Sequence, residues 1–289
     1  MSSMRELARL AIPPLLWKAP RKLKRGFSGH PAEKSASQLY FEWTFKGPFE
    51  TWEDAKRAAD GWDCPATVQK TLDISRKVRD GIVEFQQDGH VFETVQYSNT
   101  ILAFLALAIS LQKTSRLDII DFGGALGVNY YQNRKVLNNL VSVPYTWNLI
   151  DMQSYVAIGK KEFADRNLNF YSDLDELAKA FPSFPECLLF SGSMQYLREP
   201  FSIVDEAIAR GVKLIALDRM LVSPIYKNKI FLQQTGPYSY EGATFPVRFF
   251  FVEGLTDSFR FRGFRLVERF TNDLRLEIDH VGMIFMKGL

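Results

Sequence analysis

The sequence predicts an α/β protein: an open, mostly parallel seven-stranded sheet whose last strand is antiparallel, preceded by an N-terminal helical extension. Three observations carry this. From about residue 117, short apolar runs recur as "RLDIIDFG", "YTWNLIDM", "LNFYS", "ECLLFSGS", "VKLIALDR", "FRLVERF" and "HVGMIFMK". Helical patterns lie between most of them, near 128–140, 153–166, 173–181 and 199–210. Near-continuous apolar strands alternating with helices belong in a parallel sheet covered on both faces. The last two runs have no clear helix between them, so they pair antiparallel at one edge.

Upstream the pattern is different. Residues 28–50 read as loop, with Gly29, Pro31, Gly47 and Pro48. "TWEDAKRAADG" (51–61) is a capped helix, with Thr51 as N-cap, Asp54 three residues on and Gly61 past its end. "ATVQKTLDISRKVRDG" (66–81) is a second helix and "SNTILAFLALAISLQ" (98–112) a third. The apolar core of the third is too short to span a bilayer and is read as buried. The chain therefore divides into an arm (1–35), a helical extension (36–115) and a sheet domain (116–289), with an insertion at about 220–250 read as a lid over the site.

Of 289 residues 46% are hydrophobic and 24 are Phe, enough for a large core. Two cysteines, Cys64 and Cys187, exclude a disulfide framework and favour a reducing, cytoplasmic setting. Residues 1–35 hold eight basic and two acidic residues, whereas the rest is slightly acidic. A nucleic-acid footprint across the fold is not indicated by this balance. Arg9 and Pro13-Pro14 interrupt any signal-peptide core. Leu15, Leu16 and Trp17 followed by "KAPRKLKR" suit either peripheral contact with an anionic inner-membrane surface or a solvated arm that packs Trp17 on the body.

The chemistry concentrates at "DIIDFGGALG" (118–127), where the first strand runs into glycines and then a helix. Such a turn presents free backbone N–H groups at the carboxyl edge of the sheet, where ligands bind. The dinucleotide pattern G-x-G-x-x-G fits poorly, because its later slots fall on Ala125 and Val128. The pattern acidic-x-G-x-G-x-G fits as Asp121, Gly123, Ala125 and Gly127, with Gly124 inside it. That is the turn of S-adenosylmethionine (SAM) enzymes, in which the acid helps to position the cationic end of the cofactor. A methyl group at residue 125 is accommodated where φ is negative.

Other strand ends fall on the same rim. Asp151, followed by Met152, closes the second strand, where a carboxylate can accept both hydrogen bonds of a ribose diol; it can also be a simple strand-end acid. Tyr171, Ser172 and Asp173 close the third strand and either flank an adenine or cap the next helix. The fourth ends in Ser191, Gly192 and Ser193, followed by Gln195 and Tyr196, a segment that borders both cofactor and acceptor in this architecture. The fifth ends in Asp218 and Arg219, which bind substrate or form a structural ion pair.

The combination "DFGGALGVNYYQNRK", "WNLIDMQSYVAIGKKEF", "LLFSGSMQYLREP", "LDR" and "YEGATFP" resembles a family of SAM-dependent methyltransferases often encoded in bacterial surface-polysaccharide (O-antigen or capsule) clusters. "FKGPFETWEDAKRAADGWD" and "QYSNTILAFL" extend the likeness to about residues 40–289. The resemblance implies a class I, Rossmann-like methyltransferase fold, SAM as cofactor with S-adenosylhomocysteine as product, and a sugar or glycolipid hydroxyl as acceptor. The cofactor residues it points to are Asp121, Gly123, Gly124, Ala125, Gly127, Asp151, Met152, Ser172, Ser191, Gly192 and Gln195. Ala125, where the family has Gly, and Met152, where it has a polar residue, are its departures. Two rivals stand beside it: an NAD-dependent nucleotide-sugar oxidoreductase and an inactive scaffold of the same fold docked at the membrane.

A sugar hydroxyl is a weak nucleophile, so a base assists methyl transfer. His280 begins the last strand, which places it at the ligand rim if that strand is antiparallel. Glu241, in the insertion, and Asp218 are the other candidates. Tyr196, Arg219, Tyr238 and Tyr240 are the substrate-side candidates, since Tyr can stack on or hydrogen-bond to sugars; the insertion can equally be a structural cap or a dimer contact. No cluster with metal-ligand spacing is present in the sequence, so no metal is expected.

Overall fold

The computed structural model describes residues 43–111, 116–140, 143–236, 239–273 and 278–288, so the basic arm and Tyr238 lie outside the described residues. The elements are β1 (Thr44–Phe49), α1 (Trp52–Arg57), α2 (Pro65–Arg79), β2 (Phe85–Gln87), β3 (His90–Phe92), α3 (Asn99–Leu111), β4 (Leu117–Phe122), α4 (Val128–Leu140), β5 (Tyr145–Ile150) and α5 (Gln153–Glu162). They continue with β6 (Leu168–Tyr171), α6 (Leu174–Lys179), β7 (Cys187–Ser191), α7 (Pro200–Ala209), β8 (Leu214–Val222), β9 (Ile230–Gln234), β10 (Thr244–Arg248), α8 (Val252–Phe261), β11 (Phe264–Asp273) and β12 (Asp279–Lys287).

The central sheet has seven strands in the order β11-β12-β8-β7-β4-β5-β6. The five from β6 to β8 are parallel, and β12 enters antiparallel between β8 and β11. Counted within the sheet, the strands run 6-7-5-4-1-2-3. This is the class I methyltransferase, Rossmann-like arrangement. Successive strand residues point to opposite faces, and both faces are buried. Ile119, Leu149, Leu189 and Ala216 pack in one core, while their neighbours Ile120, Ile150, Leu188 and Ile215 pack in the other. Two-sided burial explains why these strands read as continuous apolar runs.

The extension is not purely helical. Thr51 caps α1 as expected, its side chain accepting from the Asp54 N–H. Residues 44–49, read as loop from Gly47 and Pro48, instead form β1, the edge of a three-stranded sheet ordered β1-β9-β10. The pairing shifts register between Lys46 and Phe49, where Gly47 and Pro48 stand; edge strands and bulges are where a sheet tolerates proline. The 220–250 insertion is therefore built on an antiparallel strand pair joined to the extension. Strands β2 and β3 form a hairpin across Asp88 (φ 50) and Gly89 (φ 84), a two-residue turn of the left-handed type that Asp-Gly favours. Among the described residues no helix is long and apolar enough to cross a membrane.

One buried acid knits the centre of the sheet together. Asp121, at the end of β4, is fully buried. Its Oδ2 accepts from Trp147 Nε1 on β5 at 2.9 Å and from Asn129 Nδ2 on α4 at 3.1 Å. Burial pushes its carboxyl up to about 6, against the pull of those two bonds. Replacement by Ala strands two buried donors, so Asp121→Ala is expected to destabilise the protein by about 3 kcal/mol in urea unfolding; a loss under about 1 kcal/mol would refute this bracing role.

Candidate functional site

Strands β5 and β6 lie on one side of β4, and β7 and β8 on the other. The chain reverses its direction of growth at β4, and ligand crevices in open α/β sheets open at such a point, beyond the carboxyl ends. Here the turn after β4 meets the turn after β7. Ser193 Oγ donates to the Phe122 carbonyl, and the Gly123 N–H to the Ile150 carbonyl at 2.8 Å. Gly123 has φ +76, and a Cβ on it would stand 2.5 Å from Ser193 Cβ, so only glycine closes this junction. Above it opens a cavity of about 370 Å³, within the usual range for small-molecule sites.

Gly123, Gly124 and Ala125 form one wall of this cavity, and Asp151, Met152 and Ser172 another. Asp151 Oδ2 accepts from the Ala125 N–H at 2.8 Å and Oδ1 from the Met152 N–H at 2.7 Å. Each oxygen keeps a further acceptor position for a ligand. Burial raises the Asp151 carboxyl to about 6. Ser172 and Asp173 divide the duties that the sequence left open. Asp173 caps α6 by accepting from the Glu176 N–H, while Ser172, bonded to Glu176, lines the cavity. Two residues of the glycine pattern lie underneath: Asp121 braces the turn, and Gly127 packs its backbone on Leu168. Ala125 has φ +51 rather than a negative value.

The opposite wall comes from the extension and the insertion. Arg219 (φ 53) pairs with Asp88 at 2.8 Å, which fastens the β2–β3 hairpin to β8; the strand does not end at Asp218 and Arg219, as read from the sequence, but runs on to Val222 through pairing with β12. Non-glycine residues with positive φ collect where surrounding contacts hold the chain to a purpose. Trp62 stacks on Phe245 with ring centroids 3.8 Å apart, and its edge meets Tyr196 and Tyr240. Burial raises the Tyr240 phenol well above its ordinary value, so it remains a donor. Behind this wall is a niche of about 30 Å³. It shares Trp62, Asp88, Gly192, Tyr196, Arg219 and Tyr240 with the large cavity, and adds Gln195, Gln233 and His280.

The candidate residues thus separate by position. Ser191 and Gly192 line the large cavity, and Gln195, expected beside the cofactor, lines the niche. Tyr196, Arg219 and Tyr240 border both spaces. Antiparallel β12 brings His280 to the niche, where its ring meets Trp43 edge-on at 6.2 Å. Asp218 faces neither space. It is buried, with Oδ1 accepting from Ser98 at 2.7 Å and Oδ2 from Ser191 at 2.8 Å, so it has no access to an acceptor. Glu241 is exposed on a turn (φ 57) and lines neither space. The sequence reading did not pick out Asp88, Trp62 or Gln233. Asp88-Gly89 carried a hairpin signal, whereas nothing local marks Gln233. Among the described residues no group of three or more His, Cys, Asp or Glu could hold a metal ion.

No family model and no curated protein matches the chain. Several solved structures are similar to it. The N-terminal domain of EvdMO1 with S-adenosylhomocysteine (SAH) and D-fucose is 13% identical over 75% of this chain and 97% of that one, with a TM-score of 0.46. Magnesium protoporphyrin IX methyltransferase from Synechocystis PCC 6803 with bound SAM is 10% identical over 83% and 92%, with a TM-score of 0.42. A SAM-dependent methyltransferase from Methanosarcina mazei is 14% identical over 66% and 98%, with a TM-score of 0.46.

The conformation of Ala125 leads to a direct test. A left-handed φ at a residue with a Cβ is strained, and glycine relieves the strain at the cost of a more flexible unfolded chain. Ala125→Gly is expected to raise stability by about 0.5–1 kcal/mol in urea unfolding; a destabilised variant would show that the methyl group packs usefully in the turn.

Proposed function

We propose that this protein is a SAM-dependent methyltransferase that O-methylates a saccharide hydroxyl. The observation that carries the reading is Asp151: a half-buried carboxylate with both oxygens anchored by backbone N–H groups, on the wall of a cavity above a glycine turn. The donor set suits SAM. Asp151 would take the ribose hydroxyls, Met152 and Ser172 would border the adenine, and the 123–125 turn would face the amino-acid end. Bound there, SAM supplies a methyl group activated by its sulfonium. The chain's own contribution is largely one of positioning. Trp62, Tyr196 and Tyr240 hold the acceptor against the boundary of the two spaces and Tyr240 donates to it; the reacting hydroxyl, on the large-cavity side, gives up its proton to solvent, since His280 lines only the niche. The antiparallel β12 within the sheet disfavours the oxidoreductase alternative, whose domain more often ends in parallel strands.

The finer setting follows the sequence resemblance. We place the acceptor among surface-polysaccharide units or their lipid- or nucleotide-linked precursors. The reaction then runs at the cytoplasmic face of the inner membrane, with the basic arm resting on anionic lipid.

Calorimetric titration with SAH, with NAD as control, tests the cofactor. Micromolar SAH binding that is lost in Asp151→Ala is expected, with no response to NAD. A folded protein that ignores SAH overturns the proposal, and SAH binding without methyl transfer to any acceptor supports the scaffold instead. The same titration is expected to depend on pH. Protonation of Asp151, held at about 6, removes an acceptor from the diol, so affinity should fall by up to about tenfold per pH unit below that value. Asp151→Asn should flatten most of the step; an affinity constant from pH 7.5 to 5 would count against the diol contact.

A further inference from the structure

The niche behind the aromatic wall is lined by two glutamines, each with a buried polar atom that has no hydrogen-bond partner among the described residues. Gln195 is 2% exposed and Gln233 fully buried, and both line this space. Gln195 Nε2 donates to the Arg219 carbonyl at 3.3 Å, which points its Oε1 away. Gln233 Oε1 accepts from the Tyr196 hydroxyl at 2.7 Å, which leaves its Nε2. Among the described residues Gln195 Oε1 and Gln233 Nε2 have no hydrogen-bond partner, from each other or from any other group. Trp62 Nε1, on the border shared with the large cavity, is a third such atom. An unsatisfied buried polar group costs about 1–3 kcal/mol, and three around one small space need an explanation from what fills it.

We propose that the niche is a recognition subsite for a neutral hydroxyl group of the acceptor. The chemistry is dictated by the pair. Gln195 Oε1 needs a donor and Gln233 Nε2 an acceptor; one hydroxyl is both. Arg219 and Asp88, which also line the niche, are paired with each other at 2.8 Å; a carboxylate then has nothing to give Gln195 and an ammonium nothing to take from Gln233, so both are disfavoured by the group they leave unpaired. A volume of about 30 Å³ admits a hydroxyl or hydroxymethyl arm but not a ring. The ring stays at the boundary, against Trp62 and Tyr240, and the arm enters. The subsite thus reads a second hydroxyl, beyond the one methylated, and selects neutral polyhydroxylated acceptors over acidic or amino sugars. This specificity rests on the methyltransferase reading of the larger cavity and adds to it.

The test is saturation-transfer NMR of the full chain, with and without SAH, against a neutral methyl hexoside, the corresponding uronate and the corresponding amino sugar. The neutral glycoside is expected to bind, and the other two at least about tenfold more weakly. Gln233→Met keeps the side-chain volume and removes the amide; it should weaken the neutral glycoside about tenfold and leave SAH binding unchanged. Gln195→Met should weaken the glycoside likewise, so the subsite is probed even if one variant fails to fold. Equal binding of the three sugars, undiminished binding by both variants, or no glycoside binding to a protein that binds SAH would each overturn the subsite. Loss of SAH binding alone, with sugar selectivity intact, would instead overturn the cofactor assignment.

Discussion

The site depends on a carboxylate that lies beneath the cavity rather than in its lining. Asp121 is buried where the first strand of the sheet ends, and its oxygens tie that strand to its neighbour through Trp147 and to the following helix through Asn129. The glycine turn rests directly on it: a Cβ on Gly124 would lie 2.6 Å from Asp121 Oδ2. Because the turn is held from below, the Ala125 N–H is presented to Asp151 in a fixed direction. That bond in turn fixes the carboxylate facing the cavity. A charge buried this deeply is stabilising only while its partners are in place, so the geometry of the cavity wall and the stability of the sheet centre are the same property.

A second convergence closes the other side. Arg219 bonds Asp88 from the N-terminal hairpin and the Ser191 carbonyl from β7, and lies 3.6 Å from Asp218. Asp218, buried among Ser98, Ser191 and Arg219, therefore holds the start of α3 and the end of β7 against the middle of β8. The three acids divide the work accordingly: Asp121 and Asp218, within β4 and β8, fasten the frame, and Asp151, just past β5, alone faces the space.

Much of this was legible in the sequence. The apolar strands betray themselves because burial on both faces leaves them no polar alternation, and the helices between them carry their own caps. The glycine turn was legible too, since positive φ and close packing leave a compositional trace at Gly123 and Gly127. Ala125 escaped that logic. Its φ of +51 is maintained by contacts from Asp151 and the core, which a propensity argument confined to neighbouring residues does not contain.

By itself the sequence determined the order of the central sheet's seven strands along the chain, the turn and the acid that faces it, because these arise from interactions among residues close in the chain. Only the tertiary structure decided the acceptor side. It paired residues 44–49 with the insertion, set Asp88 on Arg219 across 131 positions, and brought Gln195 and Gln233 to one niche with His280. Such placements follow from sheet register and from packing between distant segments. A glutamine in an apolar strand gives no local sign of whether its amide will meet a partner or be left unpaired beside a cavity.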